Sequence, residues 1–141
     1  MNIRAKDGNT ALIEAAGNSR EIFDLLLVKG ADIDTKKEDG TGCFYQCMFG
    51  ILFYNRVNIE LAEFILSKGA DVDEAPASGE LEGFTPLFFA ARDNNEKLVN
   101  ILIKHGADVN AKNVEGNTPL SIAEKAGNTK IAKILKTNGA K

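Results

Sequence analysis

The chain has no tryptophan, a single histidine and two cysteines among 141 residues, and its charge is nearly balanced. Each shortage removes a class of function. With one imidazole, His105, no Ser–His–Asp or Cys–His grouping can be assembled for nucleophilic catalysis. Cys43 and Cys47 lie four apart and would share a helix face, but zinc normally takes four ligands and the histidine is far along the chain. They read instead as small buried side chains, the usual setting of a free cysteine, in a reducing compartment where a disulfide is not expected. Seventeen basic against twenty acidic side chains give a net charge of −3, which argues against nucleic acid as a partner. No glycine-rich phosphate loop is present. Arg4, Lys6 and Asp7 interrupt any leader-like apolar stretch after Met1. The longest apolar run, CFYQCMFGILFY at 43–54, is too short to cross a bilayer as a helix, which takes about 20 residues. No cofactor, metal or membrane is expected, and the expected location is cytoplasmic.

What the sequence does have is self-similarity. KGADID (29–34), KGADVD (68–73), HGADVN (105–110) and NGAK (138–141) recur, their glycines spaced by 39, 37 and 33 residues. DGNTAL (7–12), DGTGCF (39–44), EGFTPL (82–87) and EGNTPL (115–120) form a second recurring phrase. Between them lie EIFDLLLVKG, ELAEFILSKG, KLVNILIKHG and KIAKILKTNG, each of helical period and each ending in Gly, the residue that most easily takes the left-handed turn closing a helix. Thr85–Pro86 and Thr118–Pro119 place a capping hydroxyl before a proline suited to the first helical turn, and Thr10 supplies the cap alone. Ala15–Ala16 and Ala90–Ala91 are small enough for neighbouring helices to approach closely.

A unit of about 33 residues built from T-P-L, a small-residue helix, a Leu-rich helix and G-A-D resembles the ankyrin repeat. The resemblance covers essentially the whole chain as four repeats, about 5–36, 37–75, 80–112 and 113–141, in one domain, 1–141. It implies an all-α solenoid of four stacked helix–turn–helix units with β-hairpin fingers, in which neighbours cover the apolar face that one unit cannot bury alone. There are departures from the family pattern. Four extra residues in VDEAPASGELEG enlarge the third finger. The histidine that follows T-P-L in the family is replaced by Ile13, Tyr45, Phe88 and Ser121. In repeat 2, Gly42, Cys43 and Phe44 stand at the T-P-L positions, so the apolar run becomes a first helix prolonged into an insert at 49–56.

The resemblance also implies function: non-catalytic binding of a partner protein through finger tips and the concave face of the first helices. The family's variable positions fall on Lys6, Asp7 and Asn9; on Lys36, Glu38, Asp39 and Thr41; on Leu81, Glu82, Phe84, Arg92 and Asp93; and on Lys112, Val114, Glu115, Asn117 and Lys125. Phe84, expected to have little to pack against in its own repeat, and Leu81 are the expected anchors, since interface energy concentrates in buried aromatic contacts. Glu38, Asp39, Glu80, Glu82 and Glu115 line one finger row and would favour a basic partner surface. Two alternatives stand beside this reading. Phe49, Ile51, Leu52, Phe53 and Tyr54 either fold over the repeats as a lid or form a second surface for weak homodimerisation or docking. An immunity or inhibitor protein that occupies an enzyme is one version of partner binding. His105 is expected to serve only a helix C-terminus.

Overall fold

The computed structural model describes residues 3–6, 8–54 and 59–141, and for 49–54 the backbone alone. Among the described residues eight helices follow one another: α1 (Ala11–Ala16), α2 (Arg20–Val28), α3 (Cys43–Tyr54), α4 (Ile59–Ser67), α5 (Pro86–Arg92), α6 (Glu96–Lys104), α7 (Pro119–Lys125) and α8 (Thr129–Thr137). They fall into two compact units, 1–74 and 75–141, each with two helical hairpins. In the first unit α1 packs on α2 and on α3, and α3 on α4. In the second α5 packs on α6 and α7, and α8 backs onto both α7 and α6.

The helices start where the recurring hydroxyls and amides stand. Thr10, Ser19 and Asn95 accept from the N–H three residues on, satisfying donors that the helix itself cannot. In α7, Thr118 and Ser121 cap each other's backbone in a full capping box. Thr85 departs from expectation: it precedes Pro86, but its hydroxyl makes no cap bond and is buried without a hydrogen-bond partner. The residue three on is Phe88, 1% exposed, where repeat 4 has the hydroxyl of Ser121. The second helices of repeats 1, 3 and 4 end alike. Gly30, Gly106 and Gly139 take positive φ, and the next N–H reaches back to Leu26, Leu102 or Leu135 O at 2.9–3.0 Å, closing the final turn.

Each unit buries its own apolar set. Phe23, Phe44, Ile13, Met48 and Ile65 are fully buried in the first, and Phe88, Leu98, Leu102, Ile131 and Leu135 in the second. Each such side chain contributes roughly 1.5–3 kcal/mol of transfer free energy. Ala16, Ala90, Ala91 and Ala123 are 0% exposed, as close helix approach requires. Phe44, Cys43 and Cys47 are core, as expected.

Two features differ from the sequence reading or extend it. Among the described residues no strand forms. The fingers of repeats 1, 2 and 4 are tight turns, each closed by a bond across it: Ala5 N–H to Asn9 O at 2.9 Å, Lys37 N–H to Thr41 O at 2.7 Å and Asn113 N–H to Asn117 O at 3.1 Å. With the turn bond inside it (Gly8 N–H to Ala5 O, Gly40 N–H to Lys37 O, Gly116 N–H to Asn113 O), each finger has two such bonds, both within a single turn, too short a ladder to make a strand pair. Secondly, α3 runs for 12 residues where α1 has 6 and α5 and α7 have 7, so the helix does continue into the insert.

Candidate protein-binding surface

In the first unit the two fingers nest. Gly8, at φ 79°, lies so near the next finger that a Cβ there would be 3.0 Å from Glu38 N. Lys6 and Glu38 are exposed, whereas Asp7 lies outside the described residues. Asn9 is half-buried and spent locally: its Oδ1 accepts from Thr10 N–H at 3.0 Å and its Nδ2 donates to Glu14 at 3.1 Å. Asp39 accepts from the Thr41 N–H at 2.9 Å and from its hydroxyl. Burial pushes the Asp39 carboxyl up, yet these bonds and Lys37 prevail and hold it below the usual range. Thr41 itself is 1% exposed. It was expected on the binding surface, but it faces inward to close the turn and offers a partner nothing.

Lys36 is drawn into a cluster that sequence reasoning missed. Its Nζ is 2.9 Å from Asp71 Oδ2 and 4.0 Å from Glu74 Oε1. Burial raises the Asp71 pKa, but the bonds from Lys36 and from Asp73 N–H win, and it sits below the ordinary value. Glu74 is 2% exposed. Its Oε2 accepts the N–H groups of Gly42 at 3.1 Å and Tyr45 at 2.8 Å, so it caps α3 from a distant position in the chain. A Cβ on Gly42 would run into Glu74 Oε1. The sequence signal was the glycine at the capping position of repeat 2: losing the hydroxyl there makes room for a carboxylate from elsewhere. Burial raises the Glu74 pKa, and the two N–H bonds and Lys36 offset this only in part.

The second unit carries the better-formed surface. The enlarged third finger is closed by Gly83 N–H to Pro76 O at 3.0 Å, Glu82 N–H to Gly79 O at 3.2 Å and Phe84 N–H to Leu81 O at 3.0 Å. A Cβ on Gly83 would be 3.0 Å from Asn113 Cα, and Val114 N–H reaches Glu82 O at 3.4 Å, so fingers 3 and 4 lie side by side. Phe84 is not the isolated ring expected: it sits 5.3 Å from the Phe88 ring and 5.8 Å from that of Phe89. It and Leu81 remain half-exposed, and Val114 beside them is 64% exposed. Polar side chains flank this strip already paired. Asn117 Nδ2 donates to Glu115 at 2.7 Å, and Lys125 Nζ donates to Asn117 Oδ1 at 2.7 Å. Arg92 donates to Asp93 at 2.7 Å while its guanidinium lies 5.4 Å over Phe89. Lys112 is exposed and Glu82 half-buried.

The remaining candidates stay separate. The side chains of Phe49, Ile51, Leu52, Phe53 and Tyr54, and residues 55 and 56, lie outside the described residues. Burial pushes the thiols of Cys43 and Cys47 up to about 12, which suppresses the thiolate that metal binding or redox chemistry needs. Among the described residues no group of three or more His, Cys, Asp or Glu side chains could hold a metal ion, and no helix is long and apolar enough to cross a membrane.

The comparisons agree with the repeat pattern. Residues 49–141 match a model of three ankyrin repeats, and residues 7–38 match a single ankyrin repeat. Delta-latroinsectotoxin-Lt1a of Latrodectus tredecimguttatus is 33% identical over 112 residues, 76% of this chain and 9% of that protein. A putative ankyrin repeat protein of Fowlpox virus (strain NVSL) is 32% identical over 99 residues, 70% of this chain and 28% of its own length. Ankyrin repeat and SOCS box protein 5 of Oryctolagus cuniculus is 33% identical over 100 residues, 70% and 27% respectively. The chain thus spans less than a third of each of these relatives. The recurring capped helix pairs and the matches across both units have one reading: the chain belongs to the ankyrin-repeat family.

Proposed function

We propose that the four repeats form one domain that binds a partner protein without catalysis, through its fingers and the concave face of its first helices. The observation that carries this reading is the apolar strip of Leu81, Phe84 and Val114, flanked by polar pairs already held in place. Such a strip can bury an apolar anchor without ordering many side chains first, which is where affinity is gained. Ankyrin repeats are generally protein-interaction modules, which supports the assignment. The partner presents a basic rim to Glu82 and Glu115, and the protein acts in the cytoplasm, as a scaffold or as an inhibitor occupying an enzyme. In this reading the fingers act as hairpins that close on the partner.

A partner captured with the wild-type chain and identified by mass spectrometry gives the test. Val114→Lys, which leaves the core untouched, together with Leu81→Ala and Phe84→Ala, should weaken its binding at least tenfold. Unchanged affinity in all three would place the site elsewhere.

A further inference from the structure

Thr10, Thr85 and Thr118 each stand just before a first helix, but Thr85 does not cap the one it precedes. In repeats 1 and 4 the hydroxyl accepts the N–H three residues on, from Ile13 at 3.3 Å and Ser121 at 3.2 Å. The main-chain O takes the N–H four on, from Glu14 or Ile122, at 3.0 Å. In repeat 3 the main-chain O of Thr85 takes the Phe88 N–H, three on, at 3.1 Å, and the buried hydroxyl is left without a bond. The backbone carries the same difference. At all three threonines ψ is 162–164°, but φ is −72° at Thr85 against −127° at Thr10 and −112° at Thr118.

An uncapped start and a stranded hydroxyl both weigh against α5. The residue before the threonine is Asn9 in repeat 1 and Asn117 in repeat 4, where the cap is made, and Phe84 in repeat 3. The Phe84 ring lies 5.3 Å from that of Phe88 and 5.8 Å from that of Phe89, both on α5. The rotamers open to a threonine depend on its φ. A change in φ at Thr85 also swings Phe84 and the finger behind it about the N–Cα bond. Finger 3 is closed by bonds within itself, Gly83 N–H to Pro76 O, Glu82 N–H to Gly79 O and Phe84 N–H to Leu81 O. Its bond to finger 4, Val114 N–H to Glu82 O, is 3.4 Å, longer than usual for such a pair. Asn113, against which Gly83 packs, is 5% exposed with its Nδ2 unbonded, so that contact is also incompletely satisfied.

We propose that finger 3 is a latch in which the Phe84 ring contact and the Thr85 cap bond compete. In the free chain Phe84 rests on Phe88 and Phe89, and α5 starts uncapped. When a partner takes the Phe84 ring, the finger turns at Thr85 and the hydroxyl accepts the Phe88 N–H. The latch deepens the binding reading above and rests on it for the partner. Part of the partner's affinity then comes from a bond made inside this protein, because a ligand shifts an equilibrium by its differential affinity for the two states.

Two experiments test it. The first needs no partner: Phe84→Asn, the residue of repeats 1 and 4, should let the cap form in the free chain. Thr85→Val should then raise the urea-unfolding constant about fivefold in the Phe84→Asn background, and leave it unchanged or lower in the wild type. Equal effects in the two backgrounds overturn the latch. The second uses the partner captured with the wild-type chain. Thr85→Val should weaken its binding about fivefold, and Thr85→Ser, which keeps the hydroxyl, should bind as the wild type does. Full affinity in Thr85→Val, with Leu81→Ala and Val114→Lys still weakened, overturns the latch and leaves the binding site standing. If those two variants also bind normally, the site itself is wrong and the latch falls with it.

Discussion

Glu74 is the residue with the most to answer for. A carboxylate 2% exposed costs desolvation, yet it holds two N–H groups at the start of an apolar helix that has lost its own cap. Its pKa is raised in the folded state, so the fold binds this proton more tightly than the unfolded chain does. The stability linked to it is full below the ordinary glutamate value of 4.5 and is lost as pH rises through the raised folded value. Glu74→Gln keeps an acceptor for Gly42 and Tyr45 and has no charge to bury. Urea unfolding should show the wild type gaining on this variant as pH falls toward 4.5, with no further gain below. Glu74→Ala, which strands both donors, should cost about 2–3 kcal/mol below pH 4.5 and less as pH rises, since it loses the same titrating group. An ordinary Ellman's assay checks the cysteines: with thiols pushed up to about 12, Cys43 and Cys47 should react only as fast as the protein unfolds, and both fully in guanidinium. Rapid labelling of the native chain would reopen a thiolate site.

At the scale of the element, α5 and α7 look alike in sequence, each opening on Thr–Pro–Leu, but they differ in how they start. Thr118 accepts from the Ser121 N–H and is capped in return by the Ser121 hydroxyl, while the Phe88 N–H donates to the main-chain O of Thr85 at 3.1 Å and leaves the Thr85 hydroxyl without a bond. Thr118→Val should therefore cost about 1–2 kcal/mol. Thr85→Val removes a buried hydroxyl with no partner and should be neutral or stabilising. Thermal melts of the two variants decide it, and equal losses would mean that Thr85 caps after all. Gly83 makes a second element-level case. At φ 74°, with a Cβ position 3.0 Å from Asn113 Cα, Gly83→Ala should cost about 1–3 kcal/mol and part fingers 3 and 4. Helix starts, the left-handed glycines and the prolonged α3 were legible because each is set by residues within one turn. The missing cap bond at Thr85 depends on backbone geometry, the Phe88 N–H meeting the main-chain O of Thr85 instead of its hydroxyl, which the Thr–Pro pattern does not show.

On the scale of the whole molecule, function rests on shape and on where charge and apolar surface fall. If the acidic finger row meets a basic partner, its association rate should fall as salt rises from low to physiological strength, because the charges are exposed and screened within about 8 Å. A rate indifferent to salt, measured by stopped flow, would remove that electrostatic role. The sequence by itself determined the repeat, its helix pairs, their closing glycines and the family, since these are local patterns that recur in register along the chain. It also marked Val114, Phe84 and Leu81 as candidates. Only the tertiary structure decided which of the candidates reach the surface. Thr41 turned inward because its hydroxyl closes a turn, and Phe84 gained a shelf on Phe88 and Phe89. Glu74 became a cap for residues about thirty positions away. Burial and long-range hydrogen bonds depend on what packs against a residue, and that is set by segments that the local pattern does not connect.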